Sequence, residues 1–232
     1  MLSGCSSAEP PAPSTQNTQS PAKVVSHPKT LPSGDSLVAT AKEGKVAIHR
    51  SPGGPVEKTL DDPAGDGGSP LTFLVTQERD GWLKAHLPIR PNGATGWIAA
   101  DQVTLSTTPY RLVVSMRKHR LELFEDGRRT ARYPVGVGKS TTPTPPGEYY
   151  LTELIQPPDP DGVYGPYAFG LSAYSETLKR FAGGPGQLGL HGTNEPDKVG
   201  TDVSHGCLRL ANDVITELAQ TLPLGTPIEI EA

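Results

Sequence analysis

A chain of 232 residues is long enough for two modest domains, each with a hydrophobic core of its own. Its formal net charge of −4 supplies no extended basic surface, which excludes a nucleic-acid partner held by phosphate neutralisation. With 26 glycines and 25 prolines, many turns and short strands are expected rather than long helices. Only Cys5 and Cys207 are cysteines, so a scaffold of several disulfides is also excluded.

Residues 1–35 have the pattern of an anchored tether. The run Leu2-Ser3-Gly4-Cys5 resembles a lipobox, after which bacterial lipoproteins are cleaved and acylated on the new N-terminal cysteine. The apolar stretch that normally precedes such a motif is missing, and chance occurrence is the alternative. The Pro/Ser-rich segment that follows predicts a disordered linker. We therefore expect lipidation at Cys5 or secretion, a location in the cell envelope outside the cytoplasmic membrane, and membrane contact only through the lipid.

Residues 36–107 show short β-type runs separated by turn clusters such as Asp80-Gly81 and Pro91-Asn92-Gly93. This alternation predicts a small all-β barrel. The Gly-Trp-Leu run at Trp82 and the Gly-Trp-Ile run at Trp97 resemble those of bacterial SH3-like domains. The two tryptophans could line a ligand groove, and packing into the core explains them equally well.

Residues 108–232 predict a second β-rich domain with one or two short helices, so the whole chain is expected to be mainly β. Asp126-Gly127 is a hairpin signal between two strand-like runs. A helix is predicted after Cys207, with Asn212 as its N-cap and Pro223 as its stop. Its apolar face is predicted to consist of Val214, Ile215, Leu218, Ala219 and Leu222.

The residues that can carry chemistry lie in two segments, Gly189-Leu190-His191-Gly192-Thr193 and Ser204-His205-Gly206-Cys207-Leu208-Arg209. A cysteine attacks carbonyl groups as its thiolate, so it needs a base or a lowered pKa. His191 can act as that base if the chain folds back. His205 is nearly adjacent to Cys207, but the two share a face only if this segment is a strand, and Gly206 makes a bend equally probable. His191 is therefore the favoured base. Burial as an inert side chain is the alternative for Cys207.

Neighbouring residues can support such a pair. Gly206 lets the backbone approach a substrate and aim N–H groups at a developing oxyanion. Thr193, or a backbone carbonyl beside it, could orient the His191 ring, and Arg209 could bind a substrate carboxylate. The predicted supporting set is Gly192, Thr193, Ser204, His205 and Gly206.

Zinc binding is the other chemistry that these side chains allow. His191, His205 and Cys207 could ligate the metal together with Asp197 or Asp202. No H-E-x-x-H or paired C-x-x-C motif frames the set, so we predict a site without a metal.

The two segments look like the signature of YkuD-type L,D-transpeptidases, with His191-Gly192-Thr193 followed by Ser204-His205-Gly206-Cys207-x-Arg209. Upstream, Pro134-Val135-Gly136-Val137-Gly138 and the run from Thr142 to Tyr149 are also similar to that family. The resemblance spans roughly residues 110–231. It implies a β-rich catalytic domain with short helices and a role in peptidoglycan biosynthesis, cell-wall organisation and cell shape.

The resemblance also implies a mechanism. Cys207 would attack the carbonyl that joins a diamino-acid residue of the stem peptide to its terminal D-alanine, with His191 as the base and the N–H groups of His205, Gly206 and Cys207 as the oxyanion hole. The side-chain amine of a second stem would resolve the thioester into a 3→3 cross-link, without a cofactor. Carbapenem-type β-lactams would acylate Cys207.

Two features of this interpretation stay open in the sequence. Tyr164 and Tyr167 lie in the Pro/Gly/Tyr-rich stretch 157–169, which is either a substrate wall or an irregular structural loop. The same site could instead act as an L,D-carboxypeptidase, with water in place of the amine. A non-catalytic wall-binding protein is the third alternative. For the transpeptidase, the predicted partners are donor and acceptor stem peptides, and no nucleic acid is expected.

Overall fold

A computed structural model describes residues 23–24, 34–42, 44–62, 68–181 and 183–232. Within these ranges the chain forms eighteen β-strands, two short 3₁₀ helices and one α-helix, which confirms the prediction of a mainly β protein. Cys5 and most of the predicted tether lie outside the described residues. None of the helices that are described is both long and apolar enough to pass through a membrane.

The first sheet has eight strands in the order β1-β8-β2-β5-β6-β7-β3-β4, and every neighbouring pair is antiparallel. Lys23–Val24 forms β1 against β8, so these two residues of the predicted tether belong to the sheet. The remaining bounds are β2 Ser36–Ala41, β3 Lys45–His49, β4 Val56–Asp61, β5 Thr72–Arg79, β6 Trp82–His86, β7 Thr95–Ala99 and β8 Val103–Thr108.

On β3, β6 and β7 of the first sheet, buried residues alternate with partly or fully exposed ones. On β6, Leu83 and Ala85 are buried in one apolar cluster. Trp82 points to the other face, where the His49 ring packs edge-on against it at 4.8 Å between centroids, and Trp97 is likewise half-buried. Neither tryptophan belongs to the core of this sheet. The resemblance to SH3-like domains stays a prediction.

The second sheet also has eight strands, in the order β11-β10-β9-β18-β13-β14-β15-β17. A separate pair, β12 with β16, runs parallel beside it. Asp126 and Gly127 both have positive φ, at 50° and 73°, in the tight turn between β10 and β11, which confirms the predicted hairpin. The bounds are β9 Tyr110–Ser115, β10 Arg120–Glu125, β11 Arg128–Pro134, β12 Val137–Gly138, β13 Gly147–Ile155, β14 Ala168–Tyr174, β15 Gln187–His191, β16 Asp202–Ser204, β17 Leu208–Arg209 and β18 Pro227–Glu231.

The single α-helix among the described residues, α1, spans Asn212–Thr221 and packs against the second sheet. Its Ile215, Leu218 and Ala219 are buried in the same core as β14 and β15, as the apolar pattern predicts. The predicted N-cap is wrong. Ala211 is the cap residue and makes no side-chain cap bond, while Asn212 is the first helical residue and uses its side chain elsewhere.

Candidate active site

The site is built on the parallel pairing of β15 with β17. Leu190 lies opposite Leu208, and His191 lies opposite Arg209. Both leucines are fully buried, so they occupy the core face of the sheet. Because successive residues of a strand point to opposite faces, His191 and Arg209 project together from the other face.

Cys207 precedes β17 and continues the same register beside Gly189. A hydrogen bond with the Gly189 backbone acts on the Cys207 thiol, which places these two residues side by side. Gly189 has no side chain to separate the thiol from His191, and a Cβ atom there would lie 3.8 Å from His191 Cδ2. The fold-back of sixteen residues thus brings Cys207 and His191 to one face of one sheet.

The His191 ring is held in one orientation by its own backbone neighbour. His191 is buried, and its Nδ1 lies 2.6 Å from the Gly192 carbonyl oxygen. A carbonyl can only accept, so Nδ1 carries the hydrogen and Nε2 is the nitrogen that can take a proton. Thr193 does not make this contact. Its hydroxyl accepts the Glu195 N–H instead.

Burial controls the charge state of both reactive groups. It lowers the pKa of His191 to about 4, and the Arg209 cation lowers it further, against the opposing effect of the Gly192 hydrogen bond. Burial raises the pKa of the Cys207 thiol, while the Gly189 hydrogen bond and Arg209 act in the opposite direction. At neutral pH the resting pair is therefore a thiol and a neutral imidazole. In such a pair, proton transfer to the imidazole would accompany attack by sulfur rather than precede it.

The turn that presents the nucleophile is closed by the Ser204 hydroxyl. Ser204 is buried, and its Oγ donates to the Cys207 carbonyl at 2.5 Å and accepts the Gly206 N–H at 3.0 Å. Gly206 has a φ of 121°, and a Cβ atom there would lie 2.9 Å from a methyl of Leu188. Glycine is thus required at this position by both conformation and space.

The sequence missed a second hydroxyl that holds this turn. Thr144 is 1% exposed, its Oγ1 donates to the Gly206 carbonyl at 2.8 Å, and it accepts the Gly138 N–H at 2.9 Å. The run Thr142-Pro143-Thr144-Pro145-Pro146 therefore supports the turn that carries Cys207 through the Thr144 hydroxyl.

One of the three N–H groups predicted for the oxyanion hole is already used. The Gly206 N–H is bonded to Ser204, so it does not face a substrate. Within the described residues, no hydrogen bond engages the N–H groups of His205 or Cys207. These two donors are the ones available to a developing oxyanion.

His205 lies two residues before Cys207 and has surroundings of its own. Its side chain is exposed, and its ring lies 5.4 Å from that of Phe181, tilted by 31°. The two histidines near Cys207 thus occupy different surroundings, and only His191 shares a sheet face with the sulfur.

Residues 109–230 match the model of the YkuD family, the L,D-transpeptidase catalytic domain. The chain belongs to this family. Its members are cysteine-dependent acyltransferases that act on peptidoglycan, and the protein is an L,D-transpeptidase.

Two relatives among curated proteins are similar over the same region. The YkuD protein of Bacillus licheniformis is 38% identical over 154 residues, which cover 63% of this chain and 85% of that protein. The YkuD protein of Bacillus subtilis is 36% identical over 152 residues, covering 63% and 84%. A solved Enterococcus faecium L,D-transpeptidase matches with a TM-score of 0.41 and 20% identity over 53% of this chain and 49% of that one.

Arg209 lies on the same sheet face as His191. Its Nη1 donates to Glu195 Oε2 at 3.0 Å, and Glu195 also pairs with Lys198. The Arg209 Nε is buried without a hydrogen-bond partner among the described residues. Glu195 was not predicted, since an acidic residue in a loop carries no signal of its own. A substrate carboxylate at Arg209 would share the guanidinium with Glu195.

The two tyrosines of the loop before β14 have different surroundings. The Tyr164 ring packs edge-on against the His191 ring at 5.0 Å between centroids, with 37% of the residue exposed. Burial raises the Tyr164 pKa, and the nearby Cys207 charge acts in the same direction. Tyr167 instead packs against the hydrophobic core, and its carbonyl accepts the Gly192 N–H. Tyr164 therefore covers the site, and Tyr167 supports the segment that carries His191.

The side chains considered for zinc do not gather around the reactive pair. Asp202 is bonded to His119, 2.8 Å from its Nε2, and Asp197 is exposed in a 3₁₀ helix. Across the described residues, no group of three His, Cys, Asp or Glu side chains is arranged to hold a metal.

Asn212 anchors the His191 segment of the transpeptidase. Its Oδ1 accepts the N–H of buried Thr193 at 2.8 Å. A Cβ atom on Gly192 would lie 2.4 Å from this oxygen, and one on Gly165 would lie 2.5 Å from it. Gly165 and Gly192 thus leave the space that the side-chain amide of Asn212 occupies. The hydrogen bond between Thr193 and Asn212 thus joins the two ends of the segment 193–212, which contains Cys207.

Asn212→Ala is expected to lower stability and the rate of Cys207 acylation, because it leaves the buried Thr193 N–H without an acceptor. Such a loss costs about 1–3 kcal/mol, which thermal or urea unfolding would measure. Asn212→Asp keeps an oxygen at this place and should stay close to the wild type. Gln220→Ala, on the exposed face of α1, is the matched control. Equal stability of the Asn212→Ala and Gln220→Ala proteins would contradict the anchoring role.

The raised pKa of Cys207 predicts how the free thiol reacts with pH. Because the thiolate is the reactive form, alkylation of Cys207 by iodoacetamide should be slow at pH 7 and rise with a midpoint above the roughly 8.5 of an unstructured cysteine. Rates followed by intact mass on the Cys5→Ala protein, in which Cys207 is the single thiol, measure this beside a short cysteine peptide. A midpoint below that of the peptide would contradict a raised pKa of Cys207.

Proposed function

We propose that this protein forms 3→3 cross-links in peptidoglycan through a thioester on Cys207, with release of D-alanine. The observation that carries the proposal is the placement of a buried neutral imidazole and a thiol on one sheet face, beside two N–H groups that no hydrogen bond engages in the described part of the chain. Such an arrangement can attack an amide carbonyl, hold the oxyanion and protonate the leaving amine.

In the first half-reaction, the Cys207 sulfur attacks the carbonyl between the diamino-acid residue and D-alanine while His191 Nε2 takes the thiol proton. The N–H groups of His205 and Cys207 hold the negative oxygen of the tetrahedral intermediate. His191 then gives its proton to the D-alanine nitrogen as the C–N bond breaks. A thioester and free D-alanine result.

In the second half-reaction, the side-chain amine of another stem peptide attacks the thioester. His191 takes a proton from that amine, and the proton passes to sulfur as the C–S bond breaks. The new amide is the cross-link, and the thiol is restored. No oxidant, reductant or cofactor is needed for either half.

The low pKa of His191 suits both halves. With a pKa of about 4, the imidazole is neutral and ready to accept a proton throughout the range near neutral pH. Once it is protonated, it is a strong acid that readily gives its proton to the departing amine. Tyr164 and Arg209 border the pair, and we propose that they contact the stem peptide.

The proposed substrate also indicates where in the cell the protein acts. Peptidoglycan lies outside the cytoplasmic membrane, so we propose a location in the cell envelope. Acylation of Cys5 as an anchor stays a prediction, since this residue lies outside the described part of the chain.

A purified tetrapeptide stem tests the cross-linking activity, with mass spectrometry of the products. We expect a dimer lighter than two stems by one alanine. A tripeptide without any dimer would identify water as the acceptor and would replace the proposal with L,D-carboxypeptidase activity. An unchanged tetrapeptide would contradict both.

Covalent trapping tests the assignment of the pair. A carbapenem should add one acyl group to the wild type and none to Cys207→Ala. His191→Ala should slow acylation by about 10²–10⁴-fold, since a positioned base contributes on that scale. His119→Ala, whose ring pairs with Asp202, is the matched control and should react at the wild-type rate. Equal rates for the two histidine variants would refute His191 as the base.

A further inference from the structure

The loop between β6 and β7 of the first sheet is bonded to the catalytic part of the chain. Arg90 Nη1 donates to the Ser175 carbonyl at 2.8 Å, and Nη2 donates to those of Leu178 and Pro185 at 3.2 and 3.1 Å. Its guanidinium also lies 5.1 Å from the centroid of the Tyr174 ring. One side chain thus bridges both ends of the segment between β14 and β15, called segment 175–186, of which residues 175–181 and 183–186 are described.

Asn92 adds a second set of bonds beside it. Its amide donates to the Tyr174 carbonyl and accepts the Tyr174 N–H, both at 2.8 Å, in the manner of a neighbouring strand. The Tyr174 hydroxyl donates to the Pro88 carbonyl at 2.8 Å. The end of β14, where segment 175–186 begins, is therefore fixed from the first sheet by side chains that match it in geometry.

Segment 175–186 joins β14 to β15 and contacts His205, two residues before Cys207. Phe181 and Gly184 exchange backbone hydrogen bonds of 3.1 and 2.9 Å, which close a small turn. Phe181 is 39% exposed, and its ring packs against His205, two residues before the nucleophile. An exposed aromatic ring in this place offers an apolar wall to whatever approaches Cys207.

The guanidinium is suited to this task. Its planar fork donates to several carbonyls at once in a fixed arrangement, and these bonds gain strength from its charge. Lysine would have to serve the same three oxygens with one ammonium group. The contact is thus a specific one rather than general packing between two parts of the chain.

We propose that Arg90 is a positioning residue of the transpeptidase: by fixing segment 175–186 from the first sheet, it holds Phe181 as a wall of the cleft that binds the stem peptide. The role in stem-peptide binding rests on the proposed function. Arg90 itself touches neither Cys207 nor His191. It acts through the segment, so it governs substrate binding more than the chemical step.

Steady-state kinetics of the full chain on the tetrapeptide stem test this role. Arg90→Ala should raise KM by about tenfold and leave kcat within about a factor of two, because the wall is lost while the reactive pair is intact. Mere destabilisation would reduce the active fraction, and therefore kcat, with KM unchanged. Arg50→Ala is the matched control, since Arg50 pairs with Glu57 on the surface of the same sheet. An unchanged KM for Arg90→Ala would overturn the proposal.

Two further variants test the route. Arg90→Lys should recover KM only in part. In a double-mutant cycle, Arg90→Ala should add little to the effect of Phe181→Ala, since both remove the same wall. If the two effects on KM multiply, Arg90 does not act through Phe181 and the proposal fails.

Amide hydrogen exchange separates this proposal from the proposed function. Arg90→Ala should speed exchange at the Phe181 and Gly184 amides, while amides of β9 and β10 exchange as in the wild type. This readout needs no turnover. If the wild type leaves the stem peptide unchanged, the proposed function fails, and exchange alone decides whether Arg90 positions the segment. Unchanged exchange at both amides would refute the positioning role.

Discussion

The register between β15 and β17 is the constraint on which the active site depends. Leu190 and Leu208 are fully buried opposite each other, which leaves the alternate residues His191 and Cys207 on the other face of the sheet. A slip by one residue would turn Arg209 toward the core and Leu208 toward solvent. That arrangement loses apolar burial and desolvates a charge, so both effects oppose it. The hydrophobic core thereby determines where the catalytic groups lie, although none of its side chains reacts.

The backbone around the pair is satisfied by side chains that take no part in the chemistry. Ser204 and Thr144 bond the N–H and carbonyl groups of the turn at Gly206, and Asn212 bonds Thr193. Among the described residues, no hydrogen bond engages the groups that the proposed reaction uses, namely His191 Nε2 and the N–H groups of His205 and Cys207. Preorganisation of this kind means that donors do not have to reorient when the oxyanion forms.

Arg209 acts on the two reactive groups in opposite senses for catalysis. Its positive charge lowers the pKa of Cys207, which favours the thiolate, and lowers the pKa of His191, which disfavours the imidazolium. Glu195 partly balances this charge. With His191 buried and Cys207 partly buried, the pair rests neutral and would become charged only during the proposed attack, which suits a neutral amide substrate.

The sequence by itself determined the mainly β fold, the hairpin at Asp126-Gly127, the apolar face of α1 and the candidate pair, because turn chemistry, periodicity and short motifs are local signals. Only the tertiary structure decided that Asn212 anchors Thr193 instead of capping the helix, and that the Gly206 N–H is already bonded. It also decided that Arg90 reaches segment 175–186, about ninety positions along the chain. A polar side chain has several partners of similar strength available, and only the folded backbone selects among them.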